Sequence, residues 1–485
     1  MNWRMGLCIA LAGWLPFSVA AEVRLGNEVL AQNGFKPLLG KRVGLLTNPS
    51  GVNRQKQSSV DLLRSARGIK LVALFAPEHG IRADVPAGKE FKDTVDPRTG
   101  LPVYSLYGPG PVRQPAPSML KGMDALVYDL QDTGTRSYTF ISTMGLAMEA
   151  CAENNVEFVV LDRPNPLGGL RVEGPMLEPR FRSFVGQWQI PYVYGMTCGE
   201  LARMINGEGW IRHRCQLTVI PMKGWRRGMV WQDTGLPWVP TSPFVPDGVT
   251  PMFLVATGVL GELGGLGIGA GSALRFQCVS APWLNATRAS NWLNDRRLPG
   301  VTFKQVTYRS AAGQTVNATR IFISDPARAP LMALNFYIWQ AARLTGGHNL
   351  LADAMRTDRS LAMFDKVNGT DAPRKAMQAG RSAASIVAAW KTGEQRFRQL
   401  RQRYLIADYD TPTPTGSPVL VSTAPAARPA SPPATKGPRE HMVAAGDTLY
   451  RIAQTNDVSL EAITKMNPGV KADSLQIGQK IRIPQ

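Results

Sequence analysis

Histidine is scarce in these 485 residues: His79, His213, His348 and His441 are the whole supply. A multi-histidine metal centre is hard to assemble from so few, and no H-E-x-x-H stretch is present. One histidine with several carboxylates remains able to hold a cation. Cysteine is sparse too, five residues in all and none in a C-x-x-C pair. That spacing excludes a zinc site and a disulfide-stapled miniprotein. The four beyond Cys8 could form one or two bridges or stay as buried thiols. No G-x-S-x-G elbow and no Walker A loop occur, which disfavours an ordinary serine hydrolase and a P-loop nucleotide enzyme. "GGLGIGAGS" has glycines, but not the strand, helix and acidic residue of a dinucleotide fingerprint. Acidic side chains are outnumbered, 36 against 55 basic, for a net charge of +19. Such a surface attracts nucleic acid, anionic lipid or an acidic wall polymer without choosing among them.

Long apolar runs are also missing after the first twenty residues, so no later segment is expected to span a bilayer. The first segment itself reads as a secretory signal peptide, residues 1–21. Arg4 supplies the charge, "GLCIALAGWLPFSVA" the short apolar core, and Ser18-Val19-Ala20 the small residues before cleavage. Trp14 stands where a lipoprotein needs cysteine. A periplasmic or secreted protein is expected, associated with the cell wall.

What is abundant is order. Hydrophobic residues make up 44% and charged residues 19%, enough core for two or three domains. From about 41 to 165, "KRVGLLT", "IKLVALFA", "LPVYSLY", "DALVYDL" and "VEFVVLD" read as buried strands. Helical stretches such as "SSVDLLRSARG" and "YTFISTMGLAMEACAENN" are interleaved. This pattern predicts a doubly wound, Rossmann-like parallel sheet over 22–169. A second α/β domain is expected over 170–407, with a helix at "TCGELARMING" capped by Thr197 and Glu200. A linker rich in proline, alanine, serine and threonine follows at 408–439. A compact βααβ tail occupies 440–485.

In a parallel sheet, the loops after the strands gather on one edge, where ligands bind. Asn48, Glu78, His79, Arg82, Asp129, Asp132, Arg136, Tyr138, Asp162, Arg163 and Asn165 should therefore share a cleft. Turn geometry alone explains much of "TNPSG" and "RPNPLGG". It does not demand the adjacent Glu78 and His79, or the carboxylates of "DLQDTGTR". Paired carboxylates supported by Arg and Tyr suit glycosidic hydrolysis, one acting as acid and another group handling the water. Glu78, at the end of an apolar strand, fits the acid. Asp129 or Asp132 would be the second carboxylate, and His79 would orient Glu78 or touch the sugar.

The tail, with "GDTLYRIA", "MNP" and "LQIGQKIRIP", resembles a LysM domain. The resemblance implies a glycan groove at Gly446, Asp447, Thr448 and Leu449 with Asn467, Pro468, Ile477 and Gly478. Further upstream, "GLLTNPSGV", "LFAPEHGIRAD", "LVYDLQDTGTRSYTFISTM", "VVLDRPNPLGG", "VEGPMLEPRFRSFVG" and "YGMTCGELA" stand in a family's order. Together they resemble the NamZ-type exo-β-N-acetylmuramidases over about 25–406. That resemblance implies a Rossmann-like domain plus an auxiliary domain completing the cleft, and release of N-acetylmuramic acid from non-reducing ends of peptidoglycan fragments. It implies Glu78 as the catalytic residue. Arg82, Arg136 and Arg163 would then meet the lactyl carboxylate, and Asn48, Tyr138, Thr139, Asn165, Glu173 and Tyr194 would complete substrate binding. Departures from the family pattern fall at Phe244, at Tyr194 and in the glycine-rich loop. The expected partner is peptidoglycan or a muropeptide, with no cofactor, metal, nucleic acid or membrane anchor; oligomeric state is left open. The alternative is a wall-binding scaffold that does not cut, and a wall amidase or peptidase lacks its motifs.

Overall fold

A computed structural model describes residues 22–109, 113–310, 312–355, 358–410, 439–443, 449, 452, 453, 456, 458, 460–470, 475, 476 and 478–484. The expected signal peptide and all of the linker from 411 to 438 lie outside the described residues. The chain divides into two compact units at Pro414/Thr415.

The apolar runs of the first unit become strands β1 (Arg42–Thr47), β2 (Lys70–Ala76), β3 (Thr94–Val95), β4 (Pro102–Ser105), β5 (Ala125–Asp129) and β6 (Glu157–Leu161). Strands β7 (Glu173–Met176) and β8 (Pro191–Val193) pair separately, and β9 (Leu217–Ile220) returns to the main sheet. The sheet order is β3-β4-β2-β1-β5-β6-β9, parallel throughout except for β3 on the edge. The strands are apolar on both faces because both are covered. Leu126, Tyr128, Phe158 and Val160 pack with the helices Phe140–Glu153 and Cys198–Gly207. Ala125, Val127, Val159 and Leu161 face Val29, Leu30, Val60 and Leu63 of the helices Gly26–Gln32 and Ser59–Ser65. Burying each of the valine, leucine and phenylalanine side chains contributes roughly 1.5–3 kcal/mol. One boundary shifts: β9 comes from beyond residue 169, so the sheet draws on sequence expected in the second domain.

That second part has its own core. The helices Thr250–Gly261 and Leu331–Gly346 pack with a three-stranded sheet of β10 (Cys278–Val279), β11 (Val301–Arg309) and β12 (Thr315–Ile323). The long β11–β12 hairpin has no counterpart in the sequence reading, although Val301 and Phe303 alternate inward as a hairpin requires. Thr197 and Glu200 form the expected capping box. The Cys151, Cys198, Cys215 and Cys278 thiols are all buried and unpaired. In the second unit, Arg439–Met442 pairs antiparallel with Lys480–Ile483, and a helix spans Leu460–Met466. Among the described residues no helix is long and apolar enough to cross a membrane.

Candidate active site

Pro77 ends β2, and the chain turns through two left-handed residues, His79 at φ 74° and Gly80 at φ 78°. A non-glycine residue there is strained, and such strain persists only where its surroundings enforce it. Here Val85 enforces it. Its N–H donates to the His79 carbonyl at 3.1 Å, and its own carbonyl lies 2.8 Å from His79 Nδ1. A carbonyl can only accept, so Nδ1 carries the proton. His79 therefore clamps its own loop rather than orienting Glu78 directly.

The clamp returns Gly88 to the strand end, where its N–H donates to Glu78 Oε1 at 2.8 Å. The Thr139 hydroxyl donates to Oε2 at 2.7 Å. Thr139 is the N-cap of the helix Phe140–Glu153, yet makes no side-chain cap of its own; its hydroxyl is diverted to the carboxylate. The helix N-terminus thus faces the Glu78 carboxyl group. Glu78 is 7% exposed. Tyr107, after β4, sits close to it: burial first, then the Glu78 charge, push the phenol's pKa up. Arg113 stacks over the Tyr107 ring at 4.2 Å and pairs with Glu90, while Phe184 flanks the same ring at 5.7 Å. Tyr107 and Arg113 escaped the sequence reading, because nothing local ties them to residue 78.

The other expected carboxylates are occupied elsewhere. Asp129 is wholly buried and gripped by Arg163 through Nε at 2.5 Å and Nη2 at 3.0 Å, with Ser59 and Asn27 adding donors. Arg163 spends its remaining reach on the Val52 carbonyl. Asp129 is thus spent on an internal ion pair, against expectation, and Arg163 holds it while still lining a small cavity with Ser50, Asn53 and Trp231. Asp132 Oδ2 accepts from the Tyr194 hydroxyl at 2.5 Å and from the Gly134 N–H at 2.6 Å. Its Oδ1 is buried without a partner, and burial pushes the carboxyl up to about 6. With Oδ2 doubly hydrogen-bonded and Oδ1 buried, Asp132 is held inward rather than offered as the expected second carboxylate. Tyr194 is likewise inside, spent on Asp132. Asp162 is held by Thr197, Gly199 and Tyr409, and burial pushes it too to about 6.

Arg136 departs most from expectation. Fully buried, it donates to the carbonyls of Pro175, Ile190 and Val367 instead of awaiting a carboxylate. Desolvation pulls its pKa down to about 10. Asn165 folds its own turn, accepting from Leu167 and donating to Met196, and packs where any side chain on Gly134 would stand 2.3 Å from Oδ1. Glu173 pairs with Arg171 and accepts from Met332 at the start of the helix Leu331–Gly346. Asn48 ties the cleft rim together by donating to the Thr241 carbonyl, and Thr241 donates to that of Gln131. Arg82 is on the surface, paired with Asp84. Tyr138 stays near the centre: burial, opposed by Ser242 and Thr241, raises its pKa, and the charges of Asp132 and Glu78 both reach it. Phe244, three residues along the rim from Thr241, is 40% exposed.

In the tail, Leu449 is buried core and Asn467 latches Ile463 to both backbone groups of Arg482, so neither is free for a glycan. Pro468 and Gly478 are exposed. Gly446, Asp447, Thr448 and Ile477 lie outside the described residues. Among the described residues no cluster of three or more His, Cys, Asp or Glu is placed to hold a metal ion.

Comparison with known proteins gives three family matches. The N-terminal model of exo-beta-N-acetylmuramidase NamZ covers residues 43–248, its C-terminal model 254–406, and the LysM domain 441–484. The peptidoglycan beta-N-acetylmuramidase NamZ of Bacillus subtilis (strain 168) is 40% identical over 389 residues, 79% of this chain and 91% of that protein. A crystal structure of a DUF1343 family protein from Bacteroides fragilis NCTC 9343 superposes with a TM-score of 0.73 at 43% identity, covering 79% of this chain and 99% of the other. A second protein of that family and strain gives 0.62 at 30% identity, covering 80% and 99%. The secreted LysM effector ELP2 of Colletotrichum higginsianum (strain IMI 349063) is 38% identical over 50 residues, 10% of this chain and 28% of that protein.

Proposed function

The chain belongs to the NamZ exo-beta-N-acetylmuramidase family, and from that premise we propose that Glu78 is the proton donor of its glycoside hydrolysis. The substrate is peptidoglycan, and the sugar released is a terminal N-acetylmuramic acid at a non-reducing end. One observation carries the assignment to Glu78: of the three carboxylates expected to react, Asp129 is ion-paired and Asp132 is held by Tyr194 and Gly134, while Glu78 has no ion pair among the described residues. Its two oxygens are held by Gly88 and Thr139 at the sheet's ligand edge.

The held geometry suits proton delivery. The Thr139 hydroxyl can accept as well as donate, so a proton on Oε2 is accommodated without breaking the contact. Protonating the leaving oxygen as the C1–O bond opens is the acid step of such hydrolysis. Tyr107, Tyr138 and Thr139 surround the donor. Arg113, stacked over Tyr107, is the cation that would meet a lactyl carboxylate, exchanging its partner Glu90 for it.

The LysM tail holds the enzyme at the wall, raising the local substrate concentration through the linker at 408–439. Export guided by residues 1–21 places the enzyme where the wall is. Mass spectrometry of defined muropeptides incubated with the protein tests the reading: free N-acetylmuramic acid is expected. Release of a peptide, or of nothing, overturns it.

A further inference from the structure

The strap from Gly88 to Phe91 joins Glu78 to a second charged pair. The Gly88 N–H donates to Glu78 at 2.8 Å, and the Phe91 N–H donates to the Tyr107 carbonyl at 3.2 Å. Between these two backbone anchors, Glu90 meets Arg113 Nη2 at 3.1 Å. Glu90 is two residues from Gly88, so their Cα atoms stand about 7 Å apart at most. The Glu90–Arg113 pair therefore lies alongside Glu78, not on a remote surface.

The two partners are held very differently. The Arg113 side chain is only 16% exposed, and its guanidinium is fixed on several sides. It lies over the Tyr107 ring at 4.2 Å and donates through Nη1 to the Gly108 carbonyl, while Phe184 packs on the same ring at 5.7 Å. The Glu90 side chain is 44% exposed, and among the described residues no other side chain pairs with it. Neither backbone anchor of the strap involves its carboxylate. Glu90 can thus swing into water while Arg113, Tyr107 and the strap stay in place. A pair with so exposed a member adds little to folding. Its effect is to keep a positioned cation neutralised until another carboxylate arrives.

Resting on the reading that this cleft releases N-acetylmuramic acid, we propose that Glu90 is an internal stand-in for the substrate carboxylate, and so a specificity-determining residue. In the free enzyme it occupies the arm of Arg113 that the lactyl carboxylate takes in the complex. N-Acetylmuramic acid carries that carboxylate on its C3 oxygen, within one sugar ring of the C1–O bond on which Glu78 acts. A glycan end without a carboxylate, such as N-acetylglucosamine, leaves Glu90 on Arg113 and gains no ion pair. An end with one must outcompete Glu90 to bind. Glu90 therefore sets how strong an anionic end has to be before the cleft accepts it.

The test uses the full chain and two aryl β-N-acetylmuraminides, one with a free lactyl carboxylate and one with its methyl ester. The acid-to-ester ratio of kcat/KM is taken within each variant, so a partly folded preparation cancels. Glu90→Gln removes the competing charge at an exposed position. The ratio is expected to rise by about three- to fivefold, the range an exposed ion pair can hold back, through a lower KM for the acid. Arg113→Gln is expected to bring the ratio close to one. A ratio that stays level or falls in Glu90→Gln overturns the inference, because Glu90 would then support Arg113 rather than compete for it. A preference for the acid that survives in Arg113→Gln overturns it too, and so does an unaltered chain that hydrolyses both substrates equally. If the unaltered chain hydrolyses neither, it is the functional reading that fails.

Discussion

Thr139 gives its hydroxyl to Glu78 across 61 residues of sequence and leaves its own helix uncapped. An N-cap side chain typically stabilises a helix by about 1 kcal/mol. The chain forgoes that stabilisation to fix one carboxylate oxygen.

Replacing Glu78 with Gln should therefore be tolerated structurally. The amide oxygen can accept from Gly88, while the amide nitrogen donates to a rotated Thr139 hydroxyl. Tm should move little, whereas release of terminal N-acetylmuramic acid should fall by about 10²–10⁴, the usual contribution of a general acid. Steady-state release together with thermal melting checks both halves. Unchanged release would remove Glu78 from the mechanism.

Thr139→Val deletes the donor and keeps the volume. A hydrogen bond to a charged group contributes about 1.5–3 kcal/mol, so kcat should drop by about 10- to 100-fold. Thr139→Ser should restore most of the loss, and KM should stay near its starting value. A fall seen only in KM would assign Thr139 to substrate binding instead.

His79 holds the loop that carries Glu78, through Val85. His79→Ala should cost about 1 kcal/mol in stability and lower kcat by loosening the Gly88 contact. Asn tolerates the left-handed backbone, so His79→Asn should be the milder variant. Nitrogen-15 NMR of the imidazole should find the proton on Nδ1; a neutral ring protonated only at Nε2 would contradict the clamp.

Asp132 predicts a pH dependence. Its carboxyl titrates near 6 when folded and near the usual aspartate value of 3.8 when unfolded. Between those values the folded state keeps a proton that the unfolded chain releases. Stability is therefore lost as pH rises through that window, by about 3 kcal/mol once above it. Asp162 has a slope of the same sign. Asp132→Asn should remove roughly half of the combined slope in chemical denaturation between pH 4 and 6.5. Part of the gain at neutral pH is offset by the amide N–H left unpaired where Oδ1 was. An unchanged slope would show that the Asp132 charge is solvated in solution.

The main strands and the capping box at Thr197 were legible because apolar runs and capping pairs are local signals. Leu217–Ile220 was not, since a four-residue edge strand that is only partly buried has too short a pattern. The cleft loops could be placed on one edge of the sheet, but not the uses of their side chains. Arg163 beside Asp129 and Arg136 among three carbonyls are encounters between distant segments, which adjacent residues cannot announce.

Arg136 also bears on motion. Its guanidinium joins the loop after β5 to β7, to the segment leading into β8, and to the end of the helix Asp358–Asn368. Swinging these segments apart would strip a buried cation of its acceptors, and orphaning a buried charge costs about 3–5 kcal/mol. The two sides of the cleft should accordingly tumble as one rigid body during turnover. Substrate would thread into a standing mouth, and the shape of that mouth, not a hinge, would decide how much glycan enters.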